Sequence, residues 1–378
     1  MQSRLRNKIK VFVFFSFGVS LQTWFEKNIL EREVKYYKHL GKKNIEISFV
    51  TYGDKTDLSF KKKLKNIQVI PLFNKIPKNI FSKYFILLFA PFLLKSKISK
   101  CNLIKTHQVS GGLLAVICAK FFKKNLVVRA GWEPTNEYKK WDISFFKYVI
   151  LIINSFLSYH ASKRIITTST ELKKFISCFY FINKNKIEII PNNVQTKLFK
   201  KIKTTKYRNK IFSISRLEKQ KNLSKLLNIC EKSQIDIDII GKGSEYRYLK
   251  NYSKNLSIKV GFLGAMKNEK LPKIISKYLF YITTSKIEGS PKSIIESMSC
   301  EIPIVGLKAK GINSLIKNNF NGYIYNNEIS LVNKIRLIKN KKKLLTRLGK
   351  NCRTMVERNY SQTKCVEKEI NLIEDLLL

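Results

Sequence analysis

Acidic residues are scarce in this sequence. Asp and Glu number 26 against 73 Lys and Arg in 378 residues, which gives a formal net charge of +47. So basic a chain is attracted to polyanions, either nucleic acid or the anionic face of a membrane. Coding DNA rich in A and T also raises lysine content, so membrane attraction and compositional drift both remain open. No helix-turn-helix, RNA-recognition or zinc-finger pattern accompanies the charge, so nucleic acid is not an expected partner.

Patterns for metal binding and disulfide pairing are absent as well. The seven cysteines form an odd, scattered set without a CxxC pair, and the three histidines lie far apart in the sequence. This spacing argues against a zinc site and a disulfide framework, and it fits a reducing compartment. Glycine and proline are modest at 15 and 8, so neither disorder nor a fibrous repeat is indicated.

Long apolar runs are also lacking. The run Val11–Phe17 is short and predicts a first strand better than the centre of a signal peptide. The stretches Tyr84–Leu94 and Tyr148–Leu157 fall well short of the ~20 residues that cross a bilayer. We therefore expect a cytoplasmic protein, with attachment to the inner face of the cytoplasmic membrane left open. The apolar helix predicted at Ser82–Ser96 suits core packing or membrane docking.

Short runs of β-branched and aromatic residues alternate with longer helical patterns along the whole chain, which predicts parallel α/β sheets. The length suits two domains. We assign residues 1–200 to the first domain, the polar segment 201–209 to a linker, 210–354 to the second domain and 355–378 to a final helix. Because ligands of open parallel sheets bind beyond the carboxyl ends of strands, site residues should follow strands.

The most informative stretch is the nonapeptide from Glu288 to Glu296, which follows a predicted strand and opens a predicted helix. Ser290 suits an N-cap and Pro291 the first helical position. Gly289 allows a ligand to approach the backbone, and the free N–H groups of a helix start attract phosphate. The two carboxylates suit vicinal hydroxyls of ribose or a hexose. The alternative is an ordinary capped helix with two solvated acids.

Two further segments follow strands of the second domain. Arg216 and Lys221 come after the strand predicted at Lys210–Ser215, although lysine is so abundant that this spacing alone is weak evidence. Gly241 and Gly243 end the next strand, where turn glycines are the alternative explanation.

Together these segments resemble family 4 of the retaining glycosyltransferases. The stretch from Glu288 to Glu296 looks like its Glu-x7-Glu motif, and Pro191–Val194 is similar to its hinge segment. The resemblance implies the GT-B fold, which has two Rossmann-like domains with parallel sheets facing a central cleft. It also implies that the helix at 355–378 crosses back onto the N-terminal, acceptor-side domain, while 210–354 binds the nucleotide-sugar.

The resemblance also implies roles for individual residues. Arg216 and Lys221 would clamp the donor diphosphate and Glu288 would orient the sugar, so these three are the catalytic candidates. His107 and Arg129 are acceptor-side candidates, and a purely structural histidine remains open for His107. The implied donor-binding set is Gly18, Gly241, Gly243, Gly289, Ser290, Pro291 and Glu296.

The implied activity is retaining transfer of a hexosyl or N-acetylhexosaminyl group from a nucleotide-diphosphate sugar to an acceptor hydroxyl. The expected acceptor is a lipid-linked glycan of cell-surface polysaccharide. No cofactor is expected and no metal is required, because fixed basic groups would hold the phosphates. The alternatives are an epimerase or phosphorylase on the same scaffold, a non-enzymatic polyanion-binding protein, and a degenerate transferase that binds donor without turnover.

Overall fold

The computed structural model describes residues 8–42, 44–77, 79–133, 135–136, 144–203 and 209–377, with the backbone alone for 80–88. Two compact units are present: residues 1–191 with 366–378 form the first unit, and 192–365 form the second. The sequence-based division ends the first domain at residue 200 instead. Residues 192–200 join the second unit because Asn192 Nδ2 donates to the Ser290 carbonyl at 2.8 Å and Phe199 packs in that unit's core. Part of the predicted linker, 204–208, lies outside the described residues.

The first unit is built on a parallel sheet. Its strands are β1 (Ile9–Phe14), β2 (Ile45–Thr51), β3 (Ile67–Pro71), β4 (Leu103–Thr106), β5 (Asn125–Ala130), β6 (Arg164–Thr167) and β7 (Ile187–Ile189). Within the described residues they pair in the order β3-β2-β1-β4-β5-β6-β7, every pair parallel. Strands of such a sheet are covered on both faces, and Val11, Val13 and Phe14 of β1 are accordingly fully buried.

Helices connect these strands, as parallel pairing requires. They are α1 (Leu21–Glu26), α2 (Leu30–Leu40), α3 (Lys61–Leu64), α4 (Ile80–Ile98), α5 (Gly112–Phe121), α6 (Phe145–Ala161) and α7 (Thr170–Phe179). The sequence predicts one helix over Thr23–Leu40, and this is wrong. The chain breaks between α1 and α2, where Asn28 adopts a left-handed backbone with φ 55°.

The second unit repeats the plan. Its strands are β8 (Ile211–Ile214), β9 (Ile237–Ile240), β10 (Val260–Gly264), β11 (Tyr281–Thr283), β12 (Ile304–Leu307) and β13 (Gly322–Tyr325). Its helices are α8 (Leu223–Ser233), α9 (Tyr246–Ser253), α10 (Leu271–Ile275), α11 (Lys292–Ser299), α12 (Glu328–Ile338) and α13 (Lys342–Asn359). Among the residues described, the strands pair in the order β10-β9-β8-β11-β12-β13, again all parallel. Two buried apolar clusters cover its sheet.

The end of the chain differs from the single helix predicted over 355–378. Helix α13 stops at Asn359, and a new helix, α14 (Gln362–Asp375), follows. The break falls at Ser361, which pairs with Val194, while the Gln362 N–H donates to the Val194 carbonyl at 2.9 Å. From residue 366 onward α14 is part of the first unit. The predicted class, two α/β domains with parallel sheets and a terminal helix returning to the first, is confirmed.

A buried ion pair fastens α14 to the first unit. Lys105 on β4 and Glu369 on α14 are both 0% exposed, and the Lys105 ammonium contacts the Glu369 carboxylate. Tyr36 Oη donates to the second carboxylate oxygen at 2.6 Å, and Arg129 Nη1 lies 3.8 Å from it. Burial alone would raise the pKa of Glu369, but the charges of Lys105 and Arg129 outweigh it and hold the pKa below its usual value.

Replacing Glu369 by Gln should destabilise the protein by about 3–5 kcal/mol, because Lys105 and Arg129 would remain buried without the carboxylate that they contact. A urea titration followed by circular dichroism measures the loss. The matched control is Glu367→Gln, an exposed acid on the same helix, which should change the midpoint little.

The same pair predicts a pH dependence. The pKa of Glu369 is lower in the folded protein than in the unfolded chain, so its stabilisation is complete above the ordinary Glu value and is lost as the pH falls towards the lowered one. Equal acid sensitivity of wild type and Glu369→Gln would contradict this assignment.

Candidate functional site

The strand order of the second unit reverses at its central strand. Strand β8 has β9 on one side and β11 on the other, so the connections leave the sheet in opposite directions. Such a switch point opens a crevice at the carboxyl ends of the strands, where ligands of open α/β sheets bind. Most of the site residues predicted for this unit belong to the three loops that follow β8, β9 and β11.

The loop after β8 carries the two predicted cations. Arg216 is exposed, and its guanidinium has no hydrogen-bond or ion-pair partner among the described residues. Lys221 ends a short 3-10 helix, and the next residue, Asn222, adopts a left-handed backbone (φ 53°, ψ 45°) before α8 begins. Asparagine tolerates this conformation better than most residues, so the chain turns sharply just after Lys221.

Lys221 and Glu288 meet directly although 67 positions separate them in the sequence. Lys221 Nζ lies 2.5 Å from Glu288 Oε1, and both side chains are largely shielded from solvent, with 12% and 16% exposure. The backbone holds the two loops together nearby: Thr284 Oγ1 donates to the Asn222 carbonyl at 2.9 Å, and the Lys286 N–H donates to the Gln220 carbonyl at 3.1 Å. The structure therefore joins two of the three predicted catalytic residues in one place.

The turn before α11 is one residue longer than predicted. The helix begins at Lys292, so Pro291 is its N-cap and Ser290 lies one position outside, which corrects the assignment of Ser290 as the cap. Proline offers no side-chain acceptor, and no side chain caps this helix. Its first turn therefore presents the dipole and N–H groups that favour an anion. Glu296 lies in the second turn of α11 and is 7% exposed.

A third loop, which follows β12, packs against the backbone of Glu288. The Glu288 N–H donates to the Lys310 carbonyl at 2.9 Å. The following residue, Gly311, has φ 78°, and a Cβ there would lie 2.0 Å from the Glu288 carbonyl oxygen and 2.8 Å from that of Gly289. Only glycine fits so close an approach in a left-handed conformation. Gly311 thus allows the backbone of this loop to pack directly against the Glu288–Gly289 segment and hold it in position.

Gly241 and Gly243 are placed against the loop that carries Arg216. A Cβ on Gly241 would lie 1.8 Å from the Ser215 carbonyl oxygen, and one on Gly243 would lie 2.3 Å from that of Leu217. The Leu217 N–H donates to the Lys242 carbonyl at 2.9 Å, which completes the contact between the two loops. Both glycines therefore have a packing role in setting the position of Arg216.

The acceptor-side candidates and Gly18 belong to the first unit. Gly18, with φ 72°, is an exposed turn residue after β1. His107 follows β4, and its Nδ1 lies 2.9 Å from Tyr37 Oη while its ring lies among the rings of Phe15 and Trp24. These contacts agree with a structural role for His107, which is the alternative that the sequence left open.

Arg129 is not an open surface cation. It is 8% exposed, near Glu369, and its Nη1 lacks a hydrogen bond among the described residues. Its backbone N–H donates to Thr106 Oγ1 at 3.0 Å, which ties β5 to β4.

Several positioning residues were missed by sequence reasoning. Tyr281 Oη on β11 donates to the Ile214 carbonyl at 3.0 Å and lies 3.3 Å from Ser293 Oγ, so it links the end of β8 to the first turn of α11. Burial raises the pKa of Tyr281 to about 12, so it stays a neutral donor. Thr284, Asn192 and Gly311 join loops distant in sequence. Polar residues at the ends of predicted strands were the available signal for Thr284, whereas nothing local marks Tyr281.

Across residues 8–377, where described, no group of three or more His, Cys, Asp or Glu is arranged to hold a metal ion. None of the helices in the described part of the chain combines the length and apolar character needed to span a bilayer.

Comparison with known proteins matches the second unit to a family and the whole chain to a fold. Residues 194–355 match the family model of glycosyl transferases group 1. The Escherichia coli UDP-Gal:alpha-D-GlcNAc-diphosphoundecaprenol alpha-1,3-galactosyltransferase is 26% identical over 313 residues, covering 76% of this chain and 78% of the relative. A Campylobacter jejuni alpha-1,4-N-acetyl-D-galactosaminyltransferase acting on GalNAc-alpha-(1->4)-GalNAc-alpha-(1->3)-diNAcBac-PP-undecaprenol is 29% identical over 176 residues, covering 44% and 46%.

Among solved structures, Anabaena Alr3699/HepE in complex with UDP superposes with a TM-score of 0.76 at 13% identity, over 97% of this chain and 100% of that one. At this identity the match establishes the fold alone, and the fold is GT-B. The chain is therefore a glycosyltransferase of GT-B architecture, and its residues 194–355 match the family model of glycosyl transferases group 1.

Proposed function

We propose that this protein transfers a hexosyl or N-acetylhexosaminyl group from a UDP-sugar to a hydroxyl of a lipid-linked glycan, with retention at the anomeric carbon. The observation that carries the proposal is the contact between Lys221 and Glu288 at the switch point of the second unit. Arg216 is in the same loop as Lys221 and has no side-chain partner among the described residues. A relative named for UDP-Gal and the UDP-bound structure support a uridine nucleotide.

The donor diphosphate would be held by Arg216, Lys221 and the start of α11. Arg216 offers a planar fork of donors suited to phosphate oxygens. The Lys221 ammonium has three donor hydrogens, so one bond to Glu288 leaves two for phosphate. Glu288 remains an acceptor for sugar hydroxyls, and Glu296 is assigned to the ribose by its place in the Glu-x7-Glu motif. Gly289, Ser290 and Pro291 form the turn beside the phosphates.

The chemical task is to stabilise the charge that develops on the leaving diphosphate. The bond from the anomeric carbon to the phosphate oxygen breaks, and a bond to the acceptor oxygen forms on the same face of the sugar. The acceptor proton passes to the departing phosphate oxygen. Each fixed donor that faces such a developing charge typically lowers the barrier by ~3–4 kcal/mol. Retention and membership of family 4 are inferred from the Glu288–Glu296 motif.

A lipid-linked acceptor is supported by the relatives and by charge. Two of the relatives are named for substrates attached to undecaprenol through a diphosphate. The net charge of +47 favours an anionic membrane surface, where such substrates reside. We therefore place the protein at the cytoplasmic face of a membrane, as a peripheral enzyme of surface polysaccharide assembly.

A thermal-shift assay tests the donor site. UDP-hexose at 100 times its Kd should stabilise the wild type by about 2.7 kcal/mol, whereas Arg216→Ala and Lys221→Ala should lose the shift. Lys219→Ala is the matched control, since this exposed lysine lies in the same loop, and it should keep the shift. An undiminished shift in both site variants would exclude the proposed clamp.

Release of UDP distinguishes transfer from the alternatives. With a diphosphoundecaprenol-linked sugar present, UDP should appear in step with a lengthened glycan, and Arg216→Ala should slow this by about 10²–10³-fold. EDTA should leave the rate unchanged if fixed basic groups hold the phosphates. Epimerised UDP-sugar without acceptor would indicate an epimerase, and binding to polyanions that survives Glu288→Gln without any turnover would indicate a binding protein.

The stereochemistry of the product tests retention directly. Proton NMR of the glycan formed from an α-linked UDP-sugar should show the small anomeric coupling of a new α-linkage. A β-linked product would exclude same-face transfer while leaving the donor site intact.

A further inference from the structure

Helix α6 is inverted relative to an ordinary surface helix, because its outward face is apolar and its inward face is polar. Six large apolar side chains are exposed, with Phe145 at 72%, Phe146 at 75% and Ile153 at 52%. The full set is Phe145, Phe146, Ile150, Ile153, Phe156 and Leu157. At 3.6 residues per turn these positions fall within an arc of roughly 140°. They therefore form one continuous stripe.

The inward face of α6 is fixed by a buried carboxylate. Ser155 Oγ donates to Glu133 Oε1 at 3.1 Å, and Tyr159 Oη donates to the other oxygen of the same carboxylate. Asn154 joins α6 to the start of α5, because its Oδ1 accepts from the Leu113 N–H at 3.1 Å. With these polar contacts pointing inward, α6 cannot roll to bury its apolar stripe without breaking the hydrogen bonds of Ser155 and Tyr159 to the Glu133 carboxylate.

Exposed apolar side chains also lie on the neighbouring helices α4 and α5. On α4, Phe92 and Leu93 are 61% and 63% exposed, and Phe92 packs edge-on against Phe121 of α5 with ring centroids 5.2 Å apart. Lys124 Nζ, just beyond α5, donates to the Ser99 carbonyl just beyond α4 at 3.1 Å, which holds these helices side by side. Monomeric soluble proteins rarely expose connected apolar patches larger than a few hundred Å², and larger ones mark interaction sites. We call the exposed stripes of α4, α5 and α6 the docking face.

The charged side chains of α4, α5 and α6 themselves have one sign. Residues 58–132, which include α4 and α5, contain 15 Lys and Arg and no Asp or Glu, and residues 144–170, which include α6, also lack acids. Lys95 and Lys97 on α4 and Lys147 on α6 are exposed. A second copy of the chain would bring two such cationic faces together and is disfavoured by repulsion. An anionic partner with an apolar interior matches both the positive charge and the exposed apolar side chains.

We infer that the docking face binds the interface of an anionic lipid bilayer, with α6 lying in the plane of the membrane. Phenylalanine and isoleucine side chains would enter the boundary between headgroups and acyl chains, while the lysines contact anionic headgroups. No helix in the described part of the chain meets the length and hydropathy of a membrane span, which agrees with a helix lying on the surface. The inference rests on the proposed function only for its purpose, which is to bring the enzyme to a lipid-held acceptor.

Vesicle flotation with the full-length protein tests the inference. The protein should float with vesicles of phosphatidylcholine and phosphatidylglycerol, and high salt should weaken this binding. The double variant Phe145→Ser/Phe146→Ser should bind at least about tenfold more weakly, since it removes two aromatic anchors. Lys147→Gln should lose about fivefold, and only on vesicles that contain phosphatidylglycerol.

Two matched controls lie in the second unit. Ile329→Ser removes an equally exposed apolar side chain, 76% accessible on α12, and Lys343→Gln removes an exposed lysine on α13. Both should float like the wild type. If the double variant folds poorly by circular dichroism, the single variant Ile153→Ser, at a half-exposed position, replaces it and should weaken flotation about fivefold.

The outcomes separate docking from catalysis. Flotation lost in the double variant while the UDP-hexose thermal shift persists supports the docking face. Absence of flotation in the wild type, or equal loss in Ile329→Ser, overturns it and leaves the donor site untouched. A wild-type dimer by light scattering that the double variant dissociates, without vesicle binding, would also overturn it by assigning the face to a second copy.

Discussion

Parallel pairing with a reversal at the central strand is the constraint on which the rest of this protein depends. In both units the strand order reads outward from the first strand in one direction and then in the other. All carboxyl ends of such a sheet lie at the same edge, so loops far apart in the chain become neighbours. Lys221 and Glu288 meet for this reason, although neither has a local sequence signal that names the other as its partner.

Much of this could be predicted from the sequence because strand cores and strand ends leave distinct patterns. Apolar runs with clear polar boundaries predict strands over Ile45–Thr51, Ile67–Pro71 and Leu103–Thr106 and a helix over Phe145–Ala161. These are the bounds of β2, β3, β4 and α6 in the structure. The break at Ser361 could not be predicted, because it depends on pairing with Val194. Likewise, Gly311 supports Glu288 through a contact between loops that no periodicity reveals. The sequence thus predicts which residues lie at the carboxyl edge of the sheet. Which of those residues contact each other depends on tertiary packing.

The candidate cations of the two units illustrate a difference that sequence alone hides. Arg216 and Arg129 each follow or end a buried strand and look equivalent in the sequence. Arg216 is exposed with no partner among the described residues, whereas Arg129 is buried near a carboxylate that Lys105 shares. The first guanidinium is available to an incoming anion. The Arg129 guanidinium instead interacts with Glu369 on α14. Any effect of Arg129 on an acceptor would therefore be indirect, through the packing of the first unit.

The ion pair between Lys105 and Glu369 also has a consequence for protein synthesis. The two residues are 264 positions apart, so a ribosome adds the glutamate on the order of tens of seconds after the lysine. During that interval the Lys105 ammonium on β4 lacks the carboxylate that it contacts in the folded protein. The first unit therefore cannot complete its core when its own strands emerge, and must keep a gap for α14 while the entire second unit is being made.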